Sequence, residues 1–249
     1  SAEFLVVQDI FENETTRFAH VVLPAAAWSE NDGTFTNSER RVSRVRTASP
    51  APGEARPNWW IFREIARRMG HTWESNSAKD LWDNEISVLA PNLAGIKYHR
   101  IEKDGLQWPC PTESHPGTPI LHLEGRFTRG KGSFMPVEWT PAAEVPDAEY
   151  PFVLSTGRRL YHYHTRTQTG NCEGLNDMLG EETADISAAD AQKLNIDPDE
   201  MIRVKSRRGE VTVKARITHE VPEGLVWMAF HFREGNANWL TNPVYDPDT

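Results

Sequence analysis

Two short apolar runs stand close together near the start of the chain, FLVV at 4–7 and HVVLP at 20–24, and this pairing constrains the fold most. Each has the length of a buried strand and is bounded by polar residues. Between them ENETTRFAH carries helix-start chemistry, with Asn13 and Thr15 as candidate caps. Strand, short helix, strand is the signature of an α/β sheet. Such sheets bind ligands off the carboxyl ends of their strands. Asp9 stands at one such end. Its carboxylate suits the N–H groups of a guanine or a ribose hydroxyl, and it equally suits a helix cap.

A central strand needs neighbours, because bare edges invite pairing with other chains. The chain also has no initiator Met. It therefore reads as a fragment or processed piece, or as a chain trimmed before Ser1.

The next segment, SENDGTFTNSERRVSRVR at 29–46, turns at Asp32-Gly33 and then becomes basic. Strand alternation puts Arg40, Arg44 and Arg46 on one side and Arg41 on the other. The run suits a phosphate, an acidic partner or a solvated hairpin. WWIFREIARRMG at 59–70 is an amphipathic helix with Trp59, Phe62, Ile65, Ala66 and Met69 on a packing face and Gly70 as C-cap. A second helix runs from Ser77 to Pro91. Residues 91–150 read as a long irregular excursion, the kind that covers a partner or a site. Within it FTRGKGSFMPVEW resembles strand–turn–strand, and its glycines are too few for a P-loop. PAAEVPDAEYP at 141–151 is a linker, which places a domain boundary near 148.

Beyond it YPFVLSTG is a strand ending in a turn, followed by RRLYHYHTRTQTG. If extended, this stretch aims Arg158, Leu160, His162, His164 and Arg166 one way and Arg159, Tyr161, Tyr163 and Thr165 the other. Neither face is apolar, so it should line a polar cavity. Arginine offers planar donors matched to phosphate, and histidine adds donors of either charge. The patch suits a diphosphate clamp, and chance placement on the surface is the other reading. His162 and His164 lack a third residue for zinc. A capped helix over 184–196, a hairpin over 201–219 and a strand over 221–232 suggest a small closed barrel. In the tail, Asn236, Asn238, Thr241 and Asn242 suit a flat heterocycle with mixed edges, or simply a capped loop.

Several classes fall away. Lys+Arg of 27 against Asp+Glu of 36 gives a net charge of -9, which argues against a nucleic-acid surface. No apolar run is long enough for a membrane-spanning helix, and the N-terminus has no signal-peptide pattern. Cys110 and Cys172 lack the spacing of an iron–sulfur or zinc site. No nucleophile elbow or metal cluster emerges. The residues by themselves describe a binder of an anionic, nucleotide-like ligand.

These stretches resemble the C-terminal third of a molybdenum- or tungsten-dependent formate dehydrogenase catalytic subunit, within the molybdopterin-guanine-dinucleotide oxidoreductases. The resemblance rests on FLVVQDIFENETTRFAHVVLPAAAWSENDGTFTNSERRVSRV, HPGTPILHLEGRFTRGKG, STGRRLYHYHTRTQTGNCEGLN, the segment from ISAADAQKLNI to EVPEGLVWMAFHF, and NANWLTNPVYDP. It implies an α/β chain in which a partial doubly wound α/β domain, 1–148, is followed by a six-stranded double-psi β-barrel, 149–249. It implies contacts to a bis-molybdopterin guanine dinucleotide cofactor, with Mo or W, from Asp9, Asn13, Arg158, Leu160, His162, His164, Phe232 and Asn238. Asn13 stands where threonine is usual. The catalytic Cys or selenocysteine, with its His and Arg, would lie upstream, so neither cysteine here is assigned as catalytic. The implied partners are the N-terminal catalytic part, as upstream sequence or a separate chain, and an electron-transfer iron–sulfur subunit. Formate is the implied substrate, and the compartment is cytoplasmic or periplasmic. Rival readings stand beside this one: a fragment of a related molybdopterin nitrate reductase, or a non-catalytic barrel subunit binding a nucleotide-like ligand.

Overall fold

The computed structural model describes residues 2–244; the end of the NANWLTNPVYDP match lies outside the described residues. The chain forms two compact units, Ser1–Phe134 and Met135–Thr249.

In the first unit β1 (Val6–Asp9) pairs in parallel with β2 (Val21–Pro24). The link between them is a single 3-10 turn, Thr16–Phe18. The strands that follow, β3 (Gly33–Thr36) and β4 (Arg41–Val45), pair antiparallel, and β5 (Leu106–Gln107) joins the outer side of β4. Two separate small sheets thus replace the expected doubly wound sheet. Asp32-Gly33 leads into a hairpin, where a parallel sheet would need a crossover.

The basic run on β4 is consumed within the unit. Arg40 donates to the carbonyls of Trp108, Thr118 and Pro119. Arg44 and Arg46 both reach the Glu102 carboxylate, each at 2.8 Å. Arg41 pairs with Glu39 at 3.0 Å. No phosphate grip is left there.

Helix α1 (Asn58–Arg68) forms as its periodicity dictates, and Gly70 follows it at a φ of 88°. The stripe expected to pack is exposed, however: Phe62 at 57% and Met69 at 71%. The buried positions are Ile61 and Arg63. The second helix is broken into α2 (Ala78–Leu81), a π-helical turn at Trp82–Ile86 and α3 (Ser87–Leu89). Ser77 caps it by accepting the Asp80 N–H. The π turn turns Asp83 inward, where its carboxylate accepts the Tyr98 N–H and its carbonyl accepts the Lys97 ammonium. Around this turn Val42, Trp82, Ile96, Tyr98, Ile101 and Cys110 form the core of the unit. Part of the stretch that reads as irregular is therefore well packed. The stretch over 127–139 contains no strand, only a bridge between Phe127 and Gly130.

The second unit is an α/β domain on one mixed sheet of five strands, ordered β6-β10-β7-β9-β8. Its strands are β6 (Val153–Gly157), β7 (Thr183–Ser187), β8 (Met201–Lys205), β9 (Glu210–Thr218) and β10 (Leu225–Ala229). Helix α4 (Glu173–Met178) precedes β7, and α5 (Ala188–Leu194) follows it. Ser187 caps α5 by accepting the Asp190 N–H at 3.0 Å. The expected six-stranded double-psi barrel is not what forms. The sheet is open: β6 and β8 are its two edges, and among the described residues they do not pair with each other. Closure needs every strand paired on both sides. Alternation of apolar and polar residues sets which face is buried, and it is the same in an open sheet as in a barrel.

Candidate functional site

Strands β6 and β10 are parallel and in register, with Gly157 opposite Ala229. Their carboxyl ends therefore release two segments side by side, 158–166 and 230–232. The Phe230 N–H donates to the Gly157 carbonyl at 3.2 Å and holds the segments together. Gly157 is obligatory: a Cβ there would sit 2.7 Å from the Trp227 ring.

The donor-rich stretch is a run of turns, not a strand. His164 and Arg166 take positive φ, 46° and 65°, so alternation no longer decides direction. Arg158, Arg159, Leu160, His162, Tyr163 and His164 line a cavity of about 360 Å³. Four of the residues expected to contact cofactor thus meet in one place, but in different states.

Arg158 is exposed, with its guanidinium 5.5 Å from the centre of the Phe230 ring. Among the described residues no carboxylate pairs with it. Leu160 is 90% exposed, an apolar surface with nothing over it. His162 is buried and both ring nitrogens are used, Nδ1 with the Thr169 hydroxyl at 3.1 Å and Nε2 with the Leu179 carbonyl at 2.6 Å. It props the loop and has no donor left for a ligand. His164 is exposed, and its carbonyl accepts from His231 Nδ1 at 3.1 Å. Phe232 is 1% exposed and packs edge-on against His162 and His231. Phe232 is a buried support of the loop. Asn238 is exposed and does not line the cavity; its N–H caps the turn by donating to the Asn236 side chain.

Of the residues around these, Arg159 and Arg166 belong to the donor patch read from the sequence, while Asp185, Arg216, Glu182 and His231 were not singled out from it. Arg159 binds Asp185 through two hydrogen bonds, 2.9 and 2.7 Å, while stacking on Trp227 at 4.3 Å. Arg216 reaches the same carboxylate. Burial pushes the Asp185 carboxyl up, but the hydrogen bonds from Arg216 and Arg159 outweigh it and hold the group below its usual range. Arg216 also pairs with Glu220 at 3.1 Å, so two guanidinium groups and two carboxylates balance in this cluster. The sequence signal was available: Asp185 is a lone acid inside an apolar strand. Glu182, 4% exposed, is pushed up to about 7 by burial. Burial likewise lowers His231. Buried atoms without partners cluster nearby: Arg166 Nε, Glu182 Oε2 and His231 Nε2. The unpaired Arg158 and the unpartnered polar atoms fit an anionic ligand that carries further polar edges.

In the first unit Asp9 and Asn13 form a site of their own at the end of β1. Asp9 Oδ1 accepts the Ile10 N–H at 2.7 Å and Oδ2 accepts the Asn13 amide at 2.9 Å. Asn13 Oδ1 accepts the N–H groups of Thr15 and Thr16. Asp9 remains exposed, so its carboxylate has lone pairs open to a further donor. Cys110 is buried and Cys172 exposed, and no group of three metal-binding side chains occurs among the described residues. No helix among them is long and apolar enough to cross a membrane.

Residues 152–249 match the family model described as "Molydopterin dinucleotide binding domain", and residues 1–68 match "Molybdopterin oxidoreductase". The chain is 50% identical over 251 residues to F420-dependent formate dehydrogenase 2 subunit alpha of Methanococcus maripaludis, covering 99% of this chain and 37% of that protein. It is 47% identical to F420-dependent formate dehydrogenase subunit alpha of Methanocaldococcus jannaschii, with the same coverage of both. It thus spans little more than a third of the length of these curated relatives. Among solved structures, acetylene hydratase from Pelobacter acetylenicus shares the fold, with a TM-score of 0.64 at 19% identity over 91% of this chain and 33% of that one.

Proposed function

We propose a role for this chain on one premise: it is a molybdopterin-binding, α-subunit-like chain of the C-terminal region, related to the α subunits of F420-dependent formate dehydrogenases. It serves as the cofactor-holding part of an enzyme that oxidises formate to CO2. The group held is a bis-molybdopterin guanine dinucleotide with molybdenum or tungsten, which when bound supplies the two-electron redox centre. The task of this chain's own residues is to bind and orient.

The observation that carries the reading is the cavity at the joint carboxyl ends of β6 and β10, with Arg158 unpaired at its rim. In this role Arg158 and Arg159 offer guanidinium N–H groups to a diphosphate. Leu160 and Tyr163 lie over a ring, and His164 closes the edge. His162 and Phe232 hold the loop from beneath. Asn238 offers an amide to the ligand from the tail. In the first unit Asp9, steadied by Asn13, accepts the N–H groups of a guanine. For this function the parts are 1–148 and 149–249, and the remaining machinery, including an iron–sulfur electron carrier, belongs to the rest of the enzyme. The apolar faces left open in the first unit, at Val21, Val22 and Phe62, supply a surface for that remainder.

The test is Arg158→Ala in the complete enzyme. Metal and guanine nucleotide should be lost together while the melting temperature, compared between the cofactor-free forms, barely moves. Full metal content with a lowered melting temperature would reverse the assignment and make Arg158 structural.

A further inference from the structure

The cavity residue Arg159 does not end at Asp185. Its second guanidinium nitrogen donates to the Thr183 hydroxyl at 2.6 Å. The Thr183 N–H in turn donates to Glu182 Oε1 at 3.0 Å, and the Ala229 N–H donates to the same oxygen at 3.0 Å. Thr183 thus touches both the wall of the cavity and one buried carboxyl group: its hydroxyl accepts from Arg159 and donates to Asp185 Oδ1 at 3.1 Å, and its backbone N–H holds Glu182. Gly235 packs against the Glu182 stem, where a Cβ would come within 2.8 Å of Glu182 Cβ and Cγ. Its other oxygen, Oε2, is buried without a partner.

We propose that Glu182 is the proton-linked partner of this cavity, so that an anion bound beside Arg158 and Arg159 is accompanied by a proton taken up on Glu182. The inference rests on the anion-binding reading given above and names how that site is regulated. The physical reason is mutual. The positive field of Arg159 favours the ionised carboxyl group, while burial opposes it, and burial prevails to place the group at about 7. A bound anion cancels part of the Arg159 field, so the balance tips further toward the protonated form. By linkage, a proton on Glu182 strengthens anion binding by the same factor. An unpartnered Oε2 also suits a neutral carboxyl group, since an orphaned charged oxygen costs more than an orphaned neutral one.

The other charged groups around Glu182 are accounted for. Asp185 acts on it through the sheet and raises it, but is itself held by Arg159 and Arg216. Glu181 is paired with Lys214. His231 lies two residues beyond Ala229, and Arg233 and Glu234 are the two residues before Gly235. The titration of His231 is separate, since burial moves that group down and not up.

The experiment is calorimetric titration of the chain with inorganic sulfate, which does not itself titrate near neutrality, in buffers of differing ionisation enthalpy. Proton uptake on binding should appear near pH 7. Sulfate affinity should rise about threefold from about pH 8 to about pH 6. His164 also lines the cavity, so the share of both effects that is lost in Glu182→Gln is the share carried by Glu182, and effects unchanged in that variant overturn the linkage. Carbon-detected NMR of the Glu182 carboxyl group in the unaltered chain gives the same answer without a variant: its midpoint should rise when sulfate is added. Sulfate binding with no uptake and an unmoved midpoint overturns the linkage alone. No sulfate binding at any pH overturns the anion site itself, and the linkage with it.

Discussion

The two units treat their apolar strands in opposite ways. In the second, Ala184, Ile186 and Met228 on central strands are between 0% and 2% exposed, covered by other parts of the same unit. In the first, the paired strands β1 and β2 leave Val6 42%, Val21 39% and Val22 45% exposed, although their sequence is as apolar. That unit's core lies elsewhere, around Trp82 and Ile96. Apolar patterning thus states that a strand wants covering and says nothing about what covers it. A parallel pair of two strands is too small to bury its own faces.

The largest expected effect falls on the second unit's polar centre. Asp185→Ala removes the shared acceptor and leaves the largely buried Arg159 without its carboxylate, while the half-exposed Arg216 keeps Glu220. The loss should be about 3–5 kcal/mol, read by denaturant unfolding. A loss under about 1 kcal/mol would show the cluster to be solvated and the contrast between units weaker than drawn.

A matched pair tests the contrast directly. Met228→Ala should cost about 2–5 kcal/mol, and Val22→Ala in the chain alone less than about 0.5 kcal/mol. In the complete protein the Val22 change should cost about 2 kcal/mol, as the proposed docking of the remaining machinery on this face requires. Equal effects of Val22→Ala in both settings would remove β1 and β2 from any interface.

The smallest expected effect is a pH dependence within the second unit. Glu182 has a folded value near 7, raised from an ordinary 4.5. Its contribution to stability is full below pH 4.5 and is lost as pH rises through about 7. Asp185 works in the opposite sense, contributing at neutral pH and losing that contribution as pH falls through its lowered value. The melting temperature should therefore decline modestly from acid to neutral pH, and Glu182→Gln should flatten that decline. A profile unchanged by Glu182→Gln would place the carboxyl group in contact with water.

Much of the candidate site could be read before folding. The density of donors from Arg158 to Arg166 marks the cavity wall, because such residues have no other reason to crowd beside a strand end. The capped α5 and the β8–β9 hairpin follow from Ser187 and from Arg208-Gly209, whose preferences are local. The division of labour inside the patch was not legible. His162 and His164 are two residues apart and chemically identical, yet one is buried with both nitrogens used and the other is exposed. Turns with positive φ broke the alternation that would have aimed them together.

The sequence by itself determined the strands of the second unit's sheet, the Ser77 and Ser187 caps and the kinship, since each depends on neighbours a few residues away or on the wording of a motif. Only the tertiary structure decided that the second sheet stays open, that Arg159 is held by Asp185 while Arg158 is unpaired, and that Glu182 is buried without a partner for one oxygen. Those outcomes depend on contacts between residues tens of positions apart, and on which groups lose water when they meet. A local pattern carries no record of either.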